Sequence, residues 1–139
     1  MLTLQDVQAA QRRIAPYIVR TPLLRIPALD EALGCQVYLK FEGFQVMGAF
    51  KIRGAMNKAL SLTPEELGRG LVCASSGNHA QGVACAAQRL NTKAVIVMPT
   101  NANPVKLAGV KATVVMPTTT PLMKVNRTKG YGAEVVLEG

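Results

Sequence analysis

The chain has no tryptophan, one histidine, three cysteines and only 4% aromatic residues. The cysteines, Cys35, Cys73 and Cys85, show no metal-ligand spacing. With a single histidine beside them, neither a zinc site nor any other metal site is supported, and an odd number of scattered thiols does not make a disulfide framework. No apolar run approaches the roughly 20 residues needed to cross a bilayer. Met1-Leu2-Thr3-Leu4-Gln5-Asp6 also lacks the basic head and apolar stretch of a secretory leader. A soluble, cytoplasmic protein with reduced thiols and no membrane partner is expected.

Acidic residues are scarce: 8 Asp and Glu face 16 Lys and Arg, giving a formal net charge of +8. A basic surface attracts phosphate backbones without regard to sequence. Here the basic residues stand singly or in pairs, with no basic run interleaved with aromatics, so nucleic acid is not expected as a partner. The excess of positive charge fits a piece of a larger protein whose other part carries balancing acidic residues. What is present is 139 residues, 49% hydrophobic and 17% charged, enough for an ordinary globular core.

Thr3 through Ile14 reads as an opening helix, because Thr3 and Asp6 have capping-box spacing and Leu4, Val7, Ala10 and Ile14 recur on one face. It ends before Pro16. Thr21-Pro22-Leu23 and Ile26-Pro27 are expected to be extended, since proline restricts the residue before it, and Gln36 to Phe41 alternates as a strand does. Ile52, Ala55, Met56, Ala59 and Leu60 mark a second helix, and Thr63-Pro64-Glu65-Glu66 opens a short third one. From Gly70 a strand, Leu71 to Ala74, a polar turn, Ser75 to Asn78, and a helix through Ala80, Val83, Ala84, Ala87 and Leu90 form a βα unit. Ala94 to Met98 is apolar at every position, as strands covered on both faces are. A further helix is expected near Leu122 to Lys129, then Gly130 as its stop and a strand from Ala133 to Leu137. This alternation predicts an α/β fold with a parallel sheet and flanking helices.

One stretch occurs twice. Residues 91–100 are echoed by residues 109–118, from Asn91-Thr92-Lys93-Ala94-Val95 and Gly109-Val110-Lys111-Ala112-Thr113 to Met98-Pro99-Thr100 and Met116-Pro117-Thr118. Every pair is separated by the same offset, that of Gly109 from Asn91, and Lys106 and Lys124 align at it too. Its length suits one helix-plus-strand step. A duplicated structural unit without chemistry of its own is expected.

Chemistry concentrates in two segments. In Gly48-Ala49-Phe50-Lys51-Ile52-Arg53-Gly54-Ala55 a lysine starts a helix. The positive end of the helix dipole there favours a neutral, nucleophilic amine; the plain alternative is a solvated surface lysine. In Ser75-Ser76-Gly77-Asn78-His79-Ala80-Gln81-Gly82 a polar turn joins an apolar strand to a helix. Its N–H groups suit a carboxylate or phosphate, and its glycine admits a ligand close to the main chain. An ordinary polar turn with a structural His79 is the alternative.

Together the two segments resemble the fold-type-II pyridoxal-phosphate enzymes, most closely the threonine/serine dehydratase and serine racemase group. Tyr131 to Leu137 resembles a further shared stretch, and the similarity covers nearly the whole chain, interrupted at the repeat, where the family has one copy. The resemblance implies that residues 1–66 belong to the large, cofactor domain and 67–139 to an incomplete small domain. It implies that Lys51 forms the Schiff base with pyridoxal 5'-phosphate, that Phe50 packs on the cofactor ring and that Asn78 hydrogen-bonds the ring hydroxyl. Ser75, Ser76, Gly77 and His79 would hold the substrate carboxylate.

The implied reaction is β-elimination from L-threonine or L-serine: Lys51 removes the Cα proton, the β-hydroxyl leaves, and hydrolysis yields a 2-oxo acid and ammonia. Serine racemisation, with Ser76 as the acid opposite Lys51, is the alternative, since many related dehydratases have alanine at that position. Ala49 stands where many members have serine. The family's glycine-rich phosphate loop has no counterpart in these 139 residues, so half of an active site is expected, completed by a further C-terminal part. A homo-oligomer is expected at full length, and an inactive fragment serving as an interaction module is the remaining alternative.

Overall fold

A computed structural model describes residues 1–75, 77–97, 113–116 and 134–137, with Thr118, Leu122 and Asn126 besides. The chain divides into two compact units, Met1–Phe50 and Lys51–Gly139.

In the first unit, Thr3 fixes the start of helix α1 (Leu4–Ile14): its hydroxyl accepts from the Asp6 N–H at 3.2 Å, and the Asp6 carboxylate accepts from the Thr3 N–H at 2.8 Å. The Thr3 hydroxyl and, second, its N–H hold the Asp6 carboxyl below the ordinary carboxylate range. Ile14 is buried, and Pro16 falls in a single 3-10 turn that ends the helix. Strands β1 (Leu23–Arg25) and β2 (Tyr38–Lys40) pair antiparallel, with Leu23 opposite Lys40. Ile26 is extended as expected, but Pro27 is not: it opens a helix, α2 (Pro27–Leu33). The first helical position loses nothing by proline's missing N–H, and Gly34, at φ 65°, ends the helix in the left-handed region. The Asp30 carboxylate ties α2 to the hairpin, accepting from Arg25 Nε at 2.6 Å and from the Val37 N–H at 2.5 Å.

Two buried polar side chains hold the segments beside this hairpin. Gln45, 4% exposed, accepts from the Val19 N–H at 2.9 Å and the Val46 N–H at 3.0 Å, and donates to the Val19 carbonyl at 2.8 Å. Thr21, equally buried, donates its hydroxyl to Glu42 at 2.5 Å, while Lys40 Nζ donates to the Thr21 carbonyl at 2.7 Å. After Gln45 the chain turns through two left-handed residues, Met47 at φ 59° and Gly48 at φ 67°, before Ala49 returns to extended backbone.

The second unit begins with helix α3 (Lys51–Ala59), whose buried face is Ile52, Ala55, Met56 and Ala59. A second capping box, between Thr63 and Glu66, starts helix α4 (Pro64–Arg69). Strand β3 (Leu71–Ala74) leads into helix α5 (Asn78–Arg89), and β4 (Ala94–Val97), β5 (Thr113–Met116) and β6 (Glu134–Leu137) follow. All four strands are parallel, in the order β3-β4-β5-β6. Gly70 enters the sheet at φ 95°, where a Cβ would lie 3.0 Å from the Lys93 carbonyl oxygen. Helix α5 packs on α3, β3 and β4 through Ala80, Val83, Ala84, Ala86 and Ala87. Ile52, Met56 and Ile96 are fully buried, each contributing on the order of 2 to 3 kcal/mol of apolar burial. On β4 burial alternates, with Ala94 and Ile96 buried and Val97 exposed, and Val72 on β3 is exposed as well.

The repeat has a structural counterpart in strand pairing. Val95 pairs with Thr113, Ile96 with Val114 and Val97 with Val115, so these three residues lie beside their own copies. Leu122 and Asn126 are helical. The Met-Pro ends of the first copy, Lys106, Lys124, the remainder of the expected helix at 122–129, and Tyr131 to Ala133 lie outside the described residues. Among the described residues no helix is long and apolar enough to cross a membrane.

Replacing Gln45 by alanine removes three hydrogen bonds from a buried position. The expected loss is about 2 to 3 kcal/mol, read as a lower urea midpoint at unchanged slope. A loss below about 0.5 kcal/mol would mean that water replaces the amide there.

Candidate functional site

The two segments singled out in the sequence meet in the second unit, where α3 and α5 pack on each other. Lys51 is the first residue of α3 and its side chain is exposed. Phe50, which closes the first unit, is exposed too, and Ala49 before it is buried. Ser75 continues the β3 ladder, its N–H donating to the Val97 carbonyl at 3.0 Å, and its Oγ accepts from the Gly77 N–H at 3.3 Å. Gly77 is the N-cap of α5 and, having no side chain, supplies no side-chain cap. Asn78 and His79 follow as the first two residues of the helix, both exposed. Ser76 lies outside the described residues.

Gly82 determines how these pieces approach. A Cβ built on it would lie 3.3 Å from both the carbonyl carbon and oxygen of Lys51, and 3.4 Å from the Ala55 Cβ. The main chain of Lys51 therefore rests on α5 at Gly82. Asn78 precedes Gly82 by four positions, hence on the same face of the helix and about one pitch, ~5.4 Å, toward its start. Lys51, Asn78, Ser75 and Gly77 thus gather at the C-terminal end of β3, where parallel sheets offer ligands a crevice and a helix N-terminus. Gly82 had no assigned role in the sequence; its one legible signal is a glycine inside a helix, which costs about 1 kcal/mol against alanine and calls for a packing reason.

An exposed primary amine at the head of one helix and an exposed amide at the head of the helix packed on it form a donor set for a carbonyl compound with a ring hydroxyl. Pyridoxal phosphate fits at that end. Its phosphate finds no glycine-rich loop in this sequence.

The parallel sheet with flanking helices is that of fold-type-II pyridoxal-phosphate enzymes. The chain belongs to the family described as pyridoxal-phosphate dependent enzymes, whose pattern matches residues 14–108. It is 45% identical, over its whole length, to 30% of the L-threonine ammonia-lyase of Thermotoga maritima. The serine racemase of Dictyostelium discoideum superposes with a TM-score of 0.79 at 36% identity, covering 98% of this chain and 47% of that one. The threonine deaminase of T.th. superposes at 0.67 with 46% identity, covering 99% and 37%. The chain spans about a third of the length of the curated relatives it matches.

Cys73 lies two positions before Ser75 and is half-buried, and desolvation pushes its thiol above the ordinary cysteine range. A raised pKa leaves less thiolate at a given pH, so its alkylation is slow. In the native chain at about pH 8, iodoacetamide is expected to modify exposed Cys35 well before Cys73, with the Cys73 rate still climbing above about pH 9. Mass spectrometry of timed digests checks the order; Cys73 reacting first would contradict this account of its surroundings.

Proposed function

We propose that the full-length polypeptide carrying these residues catalyses β-elimination from L-threonine or L-serine, releasing a 2-oxo acid and ammonia. The observation that carries this is the seating of the Lys51 main chain on α5 at Gly82, about one helical turn from Asn78. The likeness to threonine ammonia-lyase and threonine deaminase supports it.

Pyridoxal phosphate, when bound, supplies an electron-accepting ring that stabilises negative charge at the substrate Cα. In the proposal Lys51 Nζ would hold the cofactor through its carbonyl carbon and would serve as the base for the substrate Cα proton. Asn78 would hydrogen-bond the ring hydroxyl and Phe50 would pack on the ring. The carboxylate of the small amino-acid substrate is held by Ser75, Ser76, Gly77 and His79, at a helix start whose dipole favours negative charge. The proposal also assigns residues 1–66 to the large domain and 67–139 to the small one, and includes a homo-oligomer, a cytoplasmic location and no nucleic-acid partner. Three free cysteines among the described residues support the location.

Serine racemisation is the second reading, favoured by the likeness to the Dictyostelium serine racemase and by Ser76 in the loop. Racemisation needs a proton donor on the face of Cα opposite Lys51, and a hydroxyl can serve.

Lys51→Ala in the full-length polypeptide is expected to keep the fold, lose the imine absorption and lower turnover by at least about a thousandfold. A borohydride-trapped adduct surviving in this variant would move the covalent link to another lysine. Ser76→Ala separates the two activities: D-serine formation should fall about a hundredfold while pyruvate formation changes little. If both fall together, or if the parent makes no D-serine, elimination stands alone.

A further inference from the structure

The contact between Gly82 and Lys51 is peptide against peptide, not side chain against side chain. The missing Cβ of Gly82 would press on the carbonyl carbon and oxygen of Lys51 at 3.3 Å, closer than ordinary van der Waals contact. The Gly82 Cα–H in that direction therefore faces the Lys51 carbonyl, an arrangement that recurs where helices pack closely. Both contact points sit in buried surroundings: Gly82 is flanked by buried Val83 and Ala86, and Ala55, one turn after Lys51, is also buried. Gly54 behaves differently, since a Cβ there would meet nothing within 4 Å.

We infer that Gly82 is a positioning residue for Lys51: it sets how near the start of α3 sits to the first turn of α5, and so where the amine stands relative to Asn78. This rests on the proposal that Lys51 carries the cofactor. A methyl group at Gly82 moves the Lys51 peptide by a few tenths of an ångström. Displacements of this order at a reacting group cost rate well before they cost folding. The gain in helix propensity on replacing glycine offsets part of the crowding, so the variant is expected to fold.

The experiment compares Gly82→Ala, Gly54→Ala and the double variant Gly82→Ala/Ala55→Gly in the full-length polypeptide. The double variant relieves the contact with the Ala55 methyl and leaves the contact with the Lys51 peptide. Three quantities are read: the urea midpoint of the cofactor-free form, the rate at which that form gains a borohydride-trapped pyridoxal phosphate adduct on Lys51, and kcat with KM. Gly82→Ala should slow adduct formation and lower kcat by about tenfold, with KM within about twofold. Gly54→Ala should match the parent in adduct rate and kcat, with a slightly higher urea midpoint from the gain in helix propensity. The double variant should regain neither the adduct rate nor kcat, while its urea midpoint falls by the cost of a glycine inside α3.

Full recovery of kcat in the double variant would overturn the inference, because the methyl clash alone would then explain the loss. Identical behaviour of Gly82→Ala and Gly54→Ala would overturn it too, as would failure of both Gly82 variants to fold, which would make the contact a requirement of the fold. Failure of the underlying proposal has a separate signature: Lys51→Ala would still trap the adduct.

Discussion

The close approach of α5 to the first residue of α3 is the constraint on which the candidate site depends. Lysine and loop come from segments well separated along the chain, and the lysine side chain is long, with many rotamers. What limits its reach is the main chain from which it springs. That main chain is fixed by a glycine contact and by the buried face Ile52, Ala55, Met56 and Ala59, which presses α3 inward. The loop is fixed from the other side, by its continuation of the β3 ladder at Ser75 and by the helix that follows. Each half of the site is therefore anchored by packing that involves none of its own reactive groups.

In the first unit the same logic appears with polar groups in place of apolar ones. Short strands and helices bury little there, and the side chains of Gln45, Thr21 and Asp30 take up hydrogen bonds that longer strands would otherwise provide. An amide that pairs with both the N–H and the carbonyl of one residue, as Gln45 does with Val19, imitates a strand neighbour. It steadies the residue from which the left-handed pair Met47 and Gly48 departs.

Much of this was legible in the sequence where the cause is local. The capping boxes at Thr3 and Thr63, the helix carrying Lys51 and the βα unit at Ser75 follow from neighbours three or four positions apart, and they stand where expected. Helix α2 was not legible: Pro27 reads equally as a stop for one element and a start for another, and so short a helix gives its period no room to declare itself. Gln45 and Gly82 were missed because their partners, Val19 and Lys51, stand several elements earlier in the chain, joined to them by contacts that no spacing announces. The roles proposed for Phe50, Asn78 and the serine loop came from family likeness, since polar residues in a turn look alike whether or not a ligand meets them.

The pairing of β4 with β5 bears on how such a sheet can grow. Val95, Ile96 and Val97 each have their own duplicate as lateral neighbour. Copying one repeat length therefore inserts a strand whose edges already match: valine is laid against valine or threonine, and the hydrogen-bond ladder asks for no new alignment. Sheets of this kind are extensible by whole modules, and gene-level slippage of one module is a change that the surrounding architecture can absorb without relearning its pattern.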